Sequence, residues 1–300
     1  NHTMDIEGSN FHRTVPGYFH RKRPDGSWGN ASGCSNETAS ERTVMRQYMV
    51  ESVEYWMKEY HVDGFRFDLM AIHDIETMNL ISKSLHEIDP DVVLYGEGWA
   101  AMSPALPADS IALKVNTWQL DRIGAFSDNI RDAVRGPLDC SNAGFMDGVP
   151  GRKADLEFGI AGGVEHPQVS VPHWTASPLQ HVSYVSCHDD HCLRDRLNEA
   201  TKATEKQKLA MVKLAQTAVY TSQGIPFIYN GEEVFRHKYC TKNSYKSPDS
   251  INAIDWTLKT RYSDLTDYYC ALAAIRHAHP GFCLGDAELI RQKLEFLSVD

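Results

Sequence analysis

The segment Asp63-Gly64-Phe65-Arg66-Phe67-Asp68-Leu69-Met70 sets an arginine and a carboxylate inside a stretch that otherwise alternates like a strand. Phe65, Phe67 and Leu69 share one face, and Gly64, Arg66 and Asp68 the other, the period-two pattern of a two-faced strand. Charged side chains rarely go inside a protein unless they are paired. An Arg two residues from an Asp on one face holds that carboxylate ionised and aimed. Taken alone, the segment fits a structural ion pair at a strand end as well as it fits a carboxylate prepared to react. Two more carboxylates also follow apolar runs: Glu97 after Val92-Val93-Leu94-Tyr95, and Asp189 after the run 181–187.

Three carboxylates at three strand ends suit glycoside hydrolysis. One attacks the anomeric carbon while a protonated one donates to the leaving oxygen. Asp68 is the better nucleophile, because Arg66 favours its ionised form. Glu97 lies between Gly96 and Gly98 and beside Trp99, whose ring can desolvate it, favour its protonated form and offer a sugar an apolar platform. A carboxylate-rich rim can also hold a divalent cation, and His188-Asp189-Asp190-His191 has the look of a ligand cluster. Adjacent strand residues point to opposite faces, so only alternate members share a site, and no catalytic metal is expected. Glu232-Glu233 reads as a solvated rim pair, and His73, Asp74 and Glu76 as the opening of a helix.

The elements that must position these groups alternate. A Gly-, Ser- and Asn-rich loop with interspersed aromatics covers 1–40, and Ser40 offers an N-cap for a helix over about 41–60. That helix carries Val44, Tyr48, Val50, Val53, Tyr55 and Trp56 on a broad apolar face. A strand over 64–69 leads to a helix over 74–88 that stops before Pro90, then to a second strand over 92–95. Asp68 and Glu97 are thus one strand–helix–strand unit apart. Further on, the pattern gives a strand near 114–118, a short helix over 128–135, loops over 136–178 and a strand over 181–187. A long helix over 202–222, a strand over 225–229 and a helix near 265–277 follow, and 286–298 has the texture of a β-rich segment. Strands alternating with helices imply an α/β fold with a parallel sheet, and polar residues at successive strand ends favour a (β/α)8 barrel, whose catalytic face is that rim. No Gly-rich phosphate loop marks a doubly wound alternative.

The 300 residues suffice for one large α/β domain or two ordinary ones, and a formal charge of −10 argues against a nucleic-acid partner. No apolar run reaches the length of a membrane span. Seven scattered cysteines without a CxxC pair favour reduced thiols, which leans toward a cytoplasmic setting without fixing the compartment.

Asp63-Gly-Phe-Arg-Phe-Asp68, Gly96-Glu97-Gly-Trp99 and Val185-Ser-Cys-His188-Asp189 resemble, in order and spacing, the second, third and fourth sequence regions of the α-amylase family of glycoside hydrolases. Asn1-His2 resembles the tail of the first region. Gly17-Tyr18-Phe19, Gly33-Cys34-Ser-Asn36-Glu-Thr-Ala-Ser-Glu41, the Gly-Glu-Gly-Trp form and Asn243-Ser-Tyr-Lys-Ser-Pro-Asp249-Ser-Ile-Asn252 resemble the type I pullulanases, the starch- and glycogen-debranching group of that family. The resemblance implies retaining hydrolysis of α-1,6 branch bonds in pullulan, starch or glycogen. Asp68 would be the nucleophile, Glu97 the general acid/base and Asp189 the transition-state stabiliser. His2, Arg66 and His188 would hold the sugar beside the scissile bond, and Tyr18, Asn36, Trp99 and Asp190 would add substrate contacts. An α-1,4-acting or dual-specificity amylase is the alternative within the family; a non-catalytic α-glucan-binding relative is the other, disfavoured by the three intact carboxylates.

The family's fourth region usually reads His-Asp-Asn, so Asp190 makes an acceptor-only group of a position that could also donate. The resemblance implies an incomplete barrel, from roughly the third strand's end through the eighth strand–helix unit. Residues 1–282 would form the catalytic part and 283–300 the start of a C-terminal β domain. No cofactor is implied, structural calcium is left open, and the partner is an α-glucan. An open sheet of about five strands leaves edges and helix faces uncovered, so the isolated chain is expected to be poorly stable and inactive.

Overall fold

The computed structural model describes residues 3–298. It divides into two compact units, one running to Phe126 and including Trp174–Ala176, the other comprising Ser127–His173 and the chain from Ser177 onward.

In the first unit three strands lie parallel in the order β1 (Gly64–Phe67), β2 (Val93–Gly96) and β3 (Gly124–Phe126). Phe67 is level with Gly96, and Gly96 with Ala125, so the chain leaves all three strands at one edge. The crossover between β1 and β2 is the helix Ile75–Ile88, which buries Met78, Ile81, Ser82 and Leu85 as a single stripe. Asp74 caps it, accepting from the Thr77 amide at 2.9 Å, with Glu76 in the first turn, as the sequence suggested.

The preceding helix spans Thr43–Tyr60, but Ser40 does not cap it. The Ser40 hydroxyl instead donates to Asp74 at 2.6 Å and accepts from the Asp74 amide at 3.0 Å. Met45 and Met57 are the buried apolar residues of this helix, whereas Tyr55 and Trp56 are about half exposed and stack with Tyr60. The N-terminal loop is ordered by a buried charge. Arg21 is 3% exposed and bonds Glu37 at 2.6 Å, Glu41 at 2.9 Å, the Ile72 carbonyl at 2.9 Å and Ser40 at 3.2 Å. Lys114–Gln119 is a 3-10 helix rather than a strand, because Asn116 turns back to the carbonyls of Ala108 and Ile111. The strand is β3, whose three residues are too few for a period to register.

In the second unit β4 (His181–Ser183) and β5 (Ile225–Pro226) pair in parallel. The helix Asp128–Arg135 is where the sequence put it, and Glu205–Thr221 begins at a Thr204–Gln207 capping box. Lys153–Ile160 and Leu193–Ala200 are helices in segments read as loop or left unassigned. Their buried faces join Ser263–Ala278 around Ile130, Leu197, Val219 and Leu265. Residues Ala287–Lys293 are helical, not extended: Asp286 caps the Leu289 amide at 2.8 Å, and Ile290 is buried with Ala161 and Val164.

Glu232 is not a solvated rim residue. It is 4% exposed, bonded by the Ser186 hydroxyl and, at 2.9 Å, by the Gln216 amide. Burial pushes its carboxyl up to about 8. Among the described residues there is no disulfide, and no helix is long and apolar enough to cross a membrane.

Arg21→Met strands the fully buried Glu37 charge and is expected to lower the unfolding free energy by about 3–5 kcal/mol in urea titration. Glu76→Gln, which removes an exposed partner of Arg46, should change it by less than about 1 kcal/mol. For Glu232, the folded chain keeps the proton to about pH 8, whereas the unfolded chain releases it near 4.5. The folded state therefore binds the extra proton between those values, and stability falls as pH rises through that window, by at most about 1.4 kcal/mol per unit. Glu232→Gln should gain on the native chain steadily from pH 5 to pH 8 in denaturant midpoints; a constant difference would contradict the assignment.

Candidate active site

The parallel register of β1 and β2 sets Asp68 and Glu97 side by side, each one residue beyond its strand. Two glycines permit that approach. A Cβ on Gly96 would stand 2.7 Å from the Phe67 carbonyl oxygen, and one on Gly98 would stand 2.7 Å from the Lys114 Cα. Glu97 is fixed through its backbone as well, its amide donating to Phe67 at 3.0 Å and its carbonyl accepting from Ala71 at 3.3 Å.

Arg66 lies between the two carboxylates. One terminal nitrogen of its guanidinium donates to Asp68 Oδ1 and the other to Glu97 Oε1. The sequence had assigned Arg66 to Asp68; the structure gives it to both. The remaining oxygen of Glu97 accepts from the Leu69 amide at 2.8 Å. Leu69 reaches that position with φ 48° and ψ 48°, a left-handed conformation that costs an aliphatic residue free energy and persists only where its surroundings enforce it. Oxygens of Asp68 and Glu97 lie within 4.8 Å of one another.

The two carboxyls differ in access. The Glu97 side chain is 2% exposed and that of Asp68 38%. Asp68 can meet a ligand directly, while Glu97 is held in a low-dielectric pocket by donors on both oxygens. Phe126, at the end of β3, completes the wall. Its ring lies 5.8 Å from the Arg66 guanidinium, 5.5 Å from Tyr95 and 6.5 Å from Trp99. Sequence reasoning missed Phe126 because it missed β3; a lone aromatic after Gly-Ala carries no periodic signal. Burial also raises the Tyr95 phenol, so it stays protonated.

The other candidates in this unit have contacts of their own. The Tyr18 hydroxyl accepts from the Val44 amide at 3.1 Å, and its ring faces Arg42 at 5.5 Å. Asn36 is fully buried in the turn where its carbonyl accepts from Ser32 Oγ at 2.6 Å. His2 lies outside the described residues.

In the second unit, the turn after β4 presents His188 and Asp189, with side chains 51% and 66% exposed and 3.4 Å apart. Asp190, the next residue, is turned inward instead, 8% exposed and bonded by Arg135 at 3.2 Å.

No family model matches the chain. Its full length aligns with the pullulanase of Bacillus subtilis (strain 168), 37% identical over 303 residues and spanning 42% of that protein. It also aligns with chloroplastic pullulanase 1 of Arabidopsis thaliana, at 27% identity over 82% of the chain and 30% of that protein. The crystal structure of Paenibacillus barengoltzii pullulanase in complex with maltohexaose and α-cyclodextrin superposes with a TM-score of 0.96 at 42% identity, over the whole chain and 46% of that structure. The chain thus spans less than half the length of the relatives it matches. Sequence identity and an α/β fold with parallel strands agree along its entire length: the whole chain is similar to part of the pullulanases.

Proposed function

We propose that the protein is a retaining glycoside hydrolase that cleaves α-1,6 branch linkages in pullulan, starch or glycogen. The observation that carries this reading is the pair Asp68 and Glu97, set on adjacent parallel strands with oxygens within 4.8 Å of one another. A retaining mechanism needs two carboxyls about 5–5.5 Å apart, close enough for one to attack while the other donates. The family relationship supplies the substrate class, since the relatives are pullulanases and one of them was crystallised with maltohexaose and α-cyclodextrin.

In this reading the exposed Asp68 attacks the anomeric carbon and forms a covalent glycosyl–enzyme intermediate. Glu97 protonates the leaving oxygen and then takes a proton from the incoming water. The Arg66 guanidinium, donating to both carboxylates, holds Asp68 and Glu97 on either side of the scissile bond. Asp189 stabilises the positive charge that develops on the sugar ring. His2, Arg66 and His188 hold the sugar next to the scissile bond, with Trp99 as an apolar platform and Tyr18 and Asn36 as further binding residues. We assign the strands to an incomplete (β/α)8 barrel whose rim carries these groups. No step requires a metal or cofactor.

With pullulan as substrate, the full-length protein should release maltotriose, the product of α-1,6 cleavage; panose would mean α-1,4 cleavage and overturn the linkage assignment. Asp68→Asn should reduce turnover at least about 10⁴-fold while leaving maltotriose binding nearly unchanged. Turnover at the native rate would exclude Asp68 as nucleophile.

A further inference from the structure

Two neighbours on one turn behave oppositely. His188 and Asp189 stand in the open, but Asp190 takes a left-handed φ of 63°, which aspartate tolerates better than most residues, and its carboxylate is withdrawn from solvent. It meets Arg135, the last residue of the helix Asp128–Arg135, whose side chain is 2% exposed. Arg135 Nη2 donates to Asp190 Oδ2 at 3.2 Å, and its Nε and Nη1 have no hydrogen-bond partner among the described residues. Arg131 and Arg196 are satisfied elsewhere. Arg131 bonds Asp132 at 2.7 Å and the Tyr184 hydroxyl at 2.8 Å, and Arg196 bonds the Asn142 carbonyl at 2.9 Å. Burial and the charge of Arg131 work against the Arg135 guanidinium, and Asp190 works for it. A charge so enclosed needs a counter-charge at hand.

Asp190 Oδ1 also lies 3.7 Å from His191 Nδ1, its neighbour on the turn, and 3.7 Å from Lys242 Nζ, so positive or donor groups surround the carboxylate. At the other end of the turn, the Ser186 hydroxyl is bound to the buried Glu232. The exposed pair His188 and Asp189 is strung between two buried anchors.

We infer that Arg135 and Asp190 are positioning residues: their buried ion pair fixes the turn from which Asp189 projects, and Asp190 acts through that pair, not by touching the sugar. This rests on the proposed role of Asp189. An Asn at position 190, the residue the family pattern would give, keeps an acceptor for Arg135 but removes the counter-charge; an Ala keeps neither.

The test measures kcat and KM on pullulan in the full-length protein, with amide hydrogen exchange over residues 186–192. Asp190→Ala should lower kcat about 10²-fold with little change in KM, the size of effect that a small misplacement produces, and should speed exchange in the turn. Asp190→Asn, which keeps the acceptor without the counter-charge, should fall between native and Asp190→Ala in both readouts. Combining Asp190→Ala with Arg135→Gln should cost no more than the worse single change, because both remove one contact. A raised KM with kcat intact in Asp190→Ala would make Asp190 a sugar contact and overturn the inference, as would unchanged exchange. Should Arg135→Gln not fold, the two Asp190 variants decide alone. Asp189→Asn separates the two readings: native turnover there refutes the role given to Asp189, while the exchange data still judge the ion pair.

Discussion

Two carboxylates as close as Asp68 and Glu97 repel one another unless a cation intervenes, and Arg66 is that cation. The constraint reaches outward from this contact. Arg66 and Asp68 must share a strand face, and Glu97 must leave β2 level with them, which the β1–β2 register provides. Leu69 must turn left-handed so that its amide meets the other oxygen of Glu97. Gly96 and Gly98 must lack side chains because the Phe67 carbonyl and the Lys114 backbone occupy that space. Each of these would be a defect in an ordinary strand end, and together they satisfy the buried carboxylate of Glu97.

The same rule operates at other buried charges. Arg21 organises the N-terminal loop through Glu37 and Glu41, and Arg135 is matched by Asp190. Glu232 follows the other route open to a buried acid: with hydroxyl and amide partners and, among the described residues, no bonded cation, it retains its proton at neutral pH.

What was legible in the sequence were the features with a period or a fixed chemistry. The helix Ile75–Ile88 was marked by its stop before Pro90 and by His73, Asp74 and Glu76 at its opening, and Glu205–Thr221 by its apolar residues. Not every short element was legible. β3, three residues long, went unread, and the 3-10 segment Lys114–Gln119 imitates a strand until the Asn116 side chain is seen to fold it back. The aromatic face expected to bury the helix Thr43–Tyr60 gave way to its two methionines, because apolar type does not tell which side of a helix meets a neighbour.

The sequence by itself carried the resemblance to the pullulanases and set Arg66, Asp68 and Glu97 apart, since charged residues inside apolar alternation leave a pattern of type and spacing. The tertiary structure decided how those groups are shared and how deeply they lie. One arginine serves both Asp68 and Glu97, Glu97 is buried where Asp68 is open, and Asp190 is spent on an arginine 55 positions away in the chain. Chain order carries local periodicity, but the partner of a buried charge is fixed by which distant segments pack against it, and no spacing rule reports that.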